Sequence, residues 1–78
     1  QALFNAHVKA EYKNTYMEID AIREAIETLE QEFAGEGRVL IRPSGTEPLV
    51  RVMIEGKNQA EIDQKAKALA ELIEKHCK

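Results

Sequence analysis

The stretch that decides the fold reads Val39-Leu40-Ile41-Arg42-Pro43-Ser44-Gly45-Thr46-Glu47-Pro48-Leu49-Val50-Arg51-Val52-Met53-Ile54. Apolar runs at 39–41 and 50–54 enclose a polar segment, which holds both prolines of the chain and its only serine. Short β-branched runs on either side of a segment rich in Pro, Ser and Gly are typical of two strands and their connection. The stretch therefore predicts an antiparallel β-hairpin with a polar loop.

The loop of this hairpin has the composition of a phosphate clamp. Ser44 and Thr46 offer hydroxyl groups, and Gly45 permits a positive φ and a close approach of the backbone to a ligand. Successive amide N–H groups in such a turn can form a nest that binds an anion. Guanidinium groups at both ends add permanently charged donors suited to phosphate. The predicted binding residues are Arg42, Pro43, Ser44, Gly45, Thr46 and Arg51.

The same residues have a plainer interpretation, in which the segment is only a rigid turn. Pro, Ser, Gly and Thr all occur in turns for conformational reasons. Arg51 favours a ligand, because a strand position between two valines more often holds Thr or Val when only stability is needed. Glu47 or Glu55 could instead pair with Arg51. From the residues alone, an ion pair and a ligand contact remain open alternatives.

Length and charge restrict the possible functions. The 78 residues form a single domain, 1–78, with 44% apolar and 32% charged residues, as in an ordinary soluble globule. The net charge is −3, whereas the segment 38–51 carries +2 and the remainder −5. A small positive focus on an acidic body suits a compact anion and argues against nucleic acid as a partner. No apolar run approaches a membrane span.

The chain offers no complete catalytic set. Asp occurs only at positions 20 and 63, and the two histidines lie far apart in sequence, so neither a catalytic metal site nor a nucleophile with its base is expected. A single cysteine, Cys77, cannot form an internal disulfide and favours a reducing, cytoplasmic location. Because residue 1 is Gln rather than Met, we expect a piece of a longer protein.

The remaining segments predict one further strand and two helices. Residues 3–10 alternate loosely between apolar and polar. Apolar residues then recur with helical spacing from Ile19 to Phe33, with a start either at a Thr15–Glu18 capping box or nearer Ile19. Gly35 is the expected residue after this helix. The expected apolar positions of the two helices are Ile19, Ile22, Ile26, Leu29 and Phe33, then Ile62, Ala66, Leu69, Ile73 and His76.

The order of elements is then β-α-β-β-α. Strands are expected at 38–42 and 49–55, and Asn58 with Glu61 predicts the start of the last helix. Two helices with one apolar stripe each would cover one face of the sheet. The expected fold is an α+β two-layer sandwich with a largely antiparallel sheet.

Residues 37–55, with the core Arg42-Pro43-Ser44-Gly45-Thr46-Glu47-Pro48, resemble the C-terminal domain of the α-D-phosphohexomutases. The resemblance extends over essentially the whole chain. The residues on either side of the core are most similar to the bacterial members that act on glucosamine phosphates. The phosphoglucomutase and phosphomannomutase branches are the alternative, and a small α+β protein-interaction module is a rival from another class.

The resemblance implies a four-domain isomerase that interconverts glucosamine 6-phosphate and glucosamine 1-phosphate for cell-wall precursor synthesis. A phosphoserine and a Mg²⁺ site would lie in the other domains, with no cofactor in this one. It also implies that Arg42, Ser44, Gly45 and Thr46 line a loop for the phosphate that is not transferred, with Pro43 shaping the loop and Arg51 reaching in from the next strand. The implied partners are a hexosamine phosphate and the other domains of the same chain, and the implied fold is related to half of the TATA-binding protein.

Overall fold

The computed structural model describes residues 1–12, 15–33 and 37–77. Two short 3-10 turns, Ala10–Tyr12 and Tyr16–Glu18, lie between the first strand and the first helix. The other elements, in chain order, are β1 (Ala2–His7), α1 (Asp20–Glu32), β2 (Arg38–Pro43), β3 (Leu49–Glu55) and α2 (Gln59–Cys77). This is the predicted order, and the α+β class is confirmed.

The three strands form one antiparallel sheet in the order β1-β3-β2. The hairpin strand β3 is central, and both β1 and β2 pair with it. Val52 lies opposite Phe4 on one side and Ile41 on the other. The chain therefore leaves β1, forms α1, enters the sheet again at the far edge and returns through its middle.

Both helices cover the same face of this sheet. Helix α2 packs on β1 and β3, and α1 packs on β2 and on α2. Side chains of even number in the strands point to the helices in β1 and β3, where Ala6, Val50, Val52 and Ile54 are fully buried. The other main core residues are Ile22, Ile26, Leu29, Phe33, Ile62, Ala66, Leu69 and Ile73.

The opposite face of the sheet, which we call the open face, has no helix among the described elements. Its residues alternate with the core residues along each strand. Leu3 is 60% exposed there, and its cross-strand partner Met53 is half-buried. This face carries the predicted arginines, because Arg42 and Arg51 have the same orientation in their strands as Leu40 and Met53.

Several predicted boundaries differ from the structure. Strand β1 ends at His7 rather than at residue 10, and Thr15 donates its hydroxyl to the Glu11 carbonyl instead of capping a helix. Helix α1 begins at Asp20 after an extended Ile19, so the later of the two predicted starts is the correct one. The prediction that Gly35 ends this helix lies outside the described residues.

The last helix begins as predicted and ends with one correction. The Asn58 side-chain oxygen accepts a hydrogen bond from the Glu61 N–H at 3.1 Å. At the other end His76 is exposed and Cys77 is fully buried, because Cys77 lies four residues after Ile73 and continues its stripe. None of the helices in the described part of the chain is long and apolar enough to cross a membrane.

Substitution Asn58→Ala is expected to lower the free energy of unfolding by about 1 kcal/mol, because the Glu61 N–H loses its acceptor at the first turn of α2. Urea unfolding followed by circular dichroism measures this change. The matched control is Gln64→Ala on the exposed side of the same helix, which we expect to leave stability within about 0.5 kcal/mol of the parent. Equal effects of the two substitutions would refute the capping role.

Candidate anion-binding site

Loop 44–48 joins β2 to β3, and hydrogen bonds to Ser44 stabilise its conformation. The Ser44 N–H donates to the Leu49 carbonyl at 2.9 Å. The Ser44 hydroxyl oxygen accepts the N–H groups of Thr46 and Glu47 at 3.3 and 3.2 Å. Ser44 is only 9% exposed. Ser44 therefore stabilises the conformation of the loop through these three hydrogen bonds.

The hydrogen bonds to Ser44 reduce the number of loop N–H groups that are available to bind an anion. Successive N–H groups of the loop were expected to form an anion-binding nest, but in the structure the N–H groups of Thr46 and Glu47 are donated to Ser44. The N–H of Gly45 has no acceptor among the described residues, and Thr46 is exposed. The groups of the loop that can meet a ligand directly are therefore the Gly45 N–H and the Thr46 hydroxyl.

Gly45 is a glycine that the fold itself does not require. Its φ lies outside the left-handed region, so the loop does not use the positive φ that a glycine permits. A Cβ built on Gly45 would have no atom within 4 Å. Gly37 differs, because a Cβ there would collide with the carbonyl oxygen of Glu55. The open space beside Gly45 is where a ligand could approach the backbone.

Arg42 and Arg51 lie directly opposite each other on neighbouring strands. Both are exposed, and neither forms an ion pair within the described residues. Glu55, one of the two carboxylates that could have paired with Arg51, instead accepts a hydrogen bond from Arg38 at 3.0 Å. Like charges directly opposite each other destabilise a sheet. The pair is a local cationic centre without a counter-charge in the part of the chain described.

The two arginines border one shallow depression of about 320 Å³ on the open face, together with Leu3, Leu40 and Met53. Its floor is apolar and its edge toward the loop is cationic. Ser44, Gly45 and Thr46 do not line this depression. The structure thus brings the two arginines together and leaves the loop residues as a separate group, beyond the strand ends.

The other polar candidates remain apart from this centre. Glu47 is exposed and forms no ion pair within the described ranges. His7 and His76 are both exposed. In the residues that the structure describes, no three His, Cys, Asp or Glu side chains come together as a metal site would need. The arrangement can bind and orient an anion.

The chain is thus a small α+β domain with an exposed arginine pair beside a loop that Ser44 holds in shape. Residues 3–72 match the family model described as "Phosphoglucomutase/phosphomannomutase, C-terminal domain". The chain belongs to this family, which confirms the resemblance seen in the hairpin.

Curated relatives with the name phosphoglucosamine mutase are similar over nearly the whole chain. The protein of Thermoanaerobacter sp. (strain X514) is 65% identical over 75 residues, covering 96% of this chain and 17% of the relative. The protein of Finegoldia magna is 57% identical over 77 residues, covering 99% of this chain and 17% of the relative. The chain thus spans about 17% of the length of these isomerases.

Proposed function

We propose that this domain holds the phosphate of a hexosamine phosphate that is not being transferred, as the C-terminal domain of a phosphoglucosamine mutase. The longer enzyme would interconvert glucosamine 6-phosphate and glucosamine 1-phosphate in the cytoplasm, for cell-wall precursor synthesis. The names of the curated relatives support the identity of the enzyme. The geometry of the hairpin supports the role of the domain.

The observation that carries the proposal is the pair of opposed arginines. Two exposed guanidinium groups on neighbouring strands repel each other, and the described residues supply no carboxylate to either. A phosphate dianion would remove this repulsion and accept several charge-assisted hydrogen bonds at once. A chain selected for stability alone would not place this pair here.

The loop supports the same proposal through Gly45. Its N–H, which has no acceptor in the part of the chain described, and the open space beside its Cα would allow a phosphate oxygen to approach the backbone. The Thr46 hydroxyl next to it adds a neutral donor. In this proposal the buried Ser44 keeps the loop in shape, and the contacts to the anion come from its neighbours and from Arg42 and Arg51.

A site of this kind recognises phosphate and little else, which suits a phosphosugar mutase. Such an enzyme, working through a sugar bisphosphate, must accept either phosphate group in the distal position. Guanidinium groups, amides and hydroxyls bind the tetrahedral dianion without reading the sugar ring. The contribution of this domain to catalysis would therefore be positioning of the substrate.

Bond making would take place elsewhere in the longer protein. The family resemblance implies that a Mg²⁺ site and a phosphoserine belong to other domains of the longer protein. The 78-residue chain on its own is therefore expected to bind phosphate and to lack mutase activity.

An amide and arginine-Nε NMR titration with inorganic phosphate tests the proposal. We expect shifts at Gly45, Thr46, Arg42 and Arg51, with a Kd near 1 mM, or about −4 kcal/mol. Glucosamine 6-phosphate should shift the same signals, and uncharged glucosamine at equal concentration should shift none of them. Saturating phosphate that leaves all four residues unchanged would overturn the proposed function.

A further inference from the structure

The row of the sheet that holds the arginine pair has a third member on the first strand. Arg51 lies opposite Arg42 of β2 on one side and opposite Asn5 of β1 on the other. Ala2 and Ala6 of β1 are buried against the helices, whereas Leu3 and Asn5 are exposed. Asn5 therefore lies on the open face, in line with both arginines.

Packing and strand formation do not explain an asparagine at this position. Asn is disfavoured in strands, where its side chain competes for backbone hydrogen bonds. The Asn5 carboxamide has no hydrogen-bond partner among the described residues. Leu3, two residues earlier on the same face of β1, is apolar and borders the depression on the open face. A polar side chain with no structural partner thus lies beside Arg51.

We infer that Asn5 is a third ligand of the anion site, with its carboxamide NH₂ donating to a phosphate oxygen held by Arg51. The inference rests on the proposed function, and it extends the site from the hairpin to the third strand. Side chains directly opposite each other on neighbouring strands have Cβ atoms about 4.5–5.5 Å apart. An anion above Arg51 would therefore have Arg42 on one side and the Asn5 donor on the other.

The side chain of Asn5 is uncharged, which suits a position beside two arginines. A carboxylate at this position would pair with Arg51 and repel an incoming phosphate. A third cation would add to the repulsion that Arg42 and Arg51 already create. A carboxamide adds two N–H donors and leaves the charge of the site unchanged. Asparagine can therefore donate hydrogen bonds to the phosphate without neutralising the charge of the arginines.

Two substitutions at this position test the inference, with inorganic phosphate as the probe and NMR as the measurement. Asn5→Asp keeps the shape and introduces a carboxylate, so we expect phosphate binding to weaken by at least about tenfold. Asn5→Ala removes only the donor and should weaken binding roughly three- to tenfold. Gln64→Glu is the matched control, because it makes the same change from amide to acid on the exposed side of α2. It should bind phosphate as the parent does.

The outcomes separate this inference from the proposed function. If phosphate binds the parent and binds Arg51→Ala less well, but binds both Asn5 variants like the parent, the role of Asn5 is refuted and the arginine site stands. If phosphate does not bind the parent at the arginines, both proposals fail. Dispersed amide spectra of the Asn5 variants establish that they are folded, and weakened binding in both supports the inference.

Discussion

Arg51→Ala is expected to weaken phosphate binding by roughly ten- to hundredfold, because a hydrogen bond to a charged group contributes about 1.5–3 kcal/mol. Arg51 lies in the central strand between Arg42 and Asn5, so its guanidinium is the centre of the proposed site. Arg42→Ala should have an effect in the same range. Titration of each variant with inorganic phosphate, followed by NMR, measures the loss.

The same substitution should leave the fold intact or make it slightly more stable. The two guanidinium groups face each other across the hairpin, and no carboxylate among the described residues relieves their repulsion. Removal of one cation is expected to raise the free energy of unfolding by up to about 0.5 kcal/mol. Loss of binding together with unchanged or higher stability is the signature of residues kept for a ligand.

Arg38→Ala is the matched control for both measurements. Arg38 also lies on β2, with the same side-chain orientation as Arg42, but it already donates to Glu55 at 3.0 Å. Its removal should leave phosphate binding unchanged and cost at most about 1 kcal/mol for an exposed ion pair. Equal weakening of binding by Arg38→Ala and Arg51→Ala would mean that only general positive charge attracts the phosphate.

The fold could be predicted from sequence wherever the pattern is local. The apolar run at 50–54, which follows the polar loop, identified strand β3, and the structure confirms this strand. The spacing of Ile22, Ile26 and Leu29 identified α1 for the same reason. Each pattern depends on the geometry of a single element, so no knowledge of its neighbours is needed.

The differences arise where distant segments meet. The Cys77 carbonyl at the end of α2 accepts a hydrogen bond from the Lys9 N–H at 2.7 Å. The segment that follows β1 therefore contacts the end of α2. The spacing of apolar residues within a single element cannot predict such a contact. Strand order is likewise a long-range property, and only the pairing of β1 with β3 brings Asn5 next to Arg51.

The candidate site was predicted in its residue types and only partly in its geometry. The facing positions of Arg42 and Arg51 follow from a hairpin whose strands begin and end near the predicted residues. The role of Ser44 was not predictable from composition, because a serine hydroxyl can either bind a ligand or accept amide bonds from its own turn. In the structure it accepts two such bonds, which leaves Gly45 as the open position of the loop.

Substitution by alanine is expected to have different effects on stability at Gly37 and at Gly45, because the surroundings of the two glycines differ. Gly37→Ala is expected to lower the free energy of unfolding by about 3 kcal/mol, since the new methyl group would collide with the Glu55 carbonyl oxygen. The Glu55 carbonyl carbon and the Gly56 Cα would lie only 3.2 Å from it, so the backbone at the end of β3 would have to move. Thermal unfolding followed by circular dichroism measures this loss.

Gly45→Ala should give the opposite pattern. Its Cβ would enter open space at a backbone conformation that alanine can adopt, so stability should stay within about 0.5 kcal/mol of the parent or rise slightly. Phosphate binding should nevertheless weaken, because the methyl group would occupy the space through which an oxygen reaches the Gly45 N–H. A Gly45→Ala variant that unfolds easily would show that the glycine serves the turn, and one that binds phosphate normally would remove the loop from the site. Stability retained with binding lost would assign Gly45 to the ligand and Gly37 to the fold.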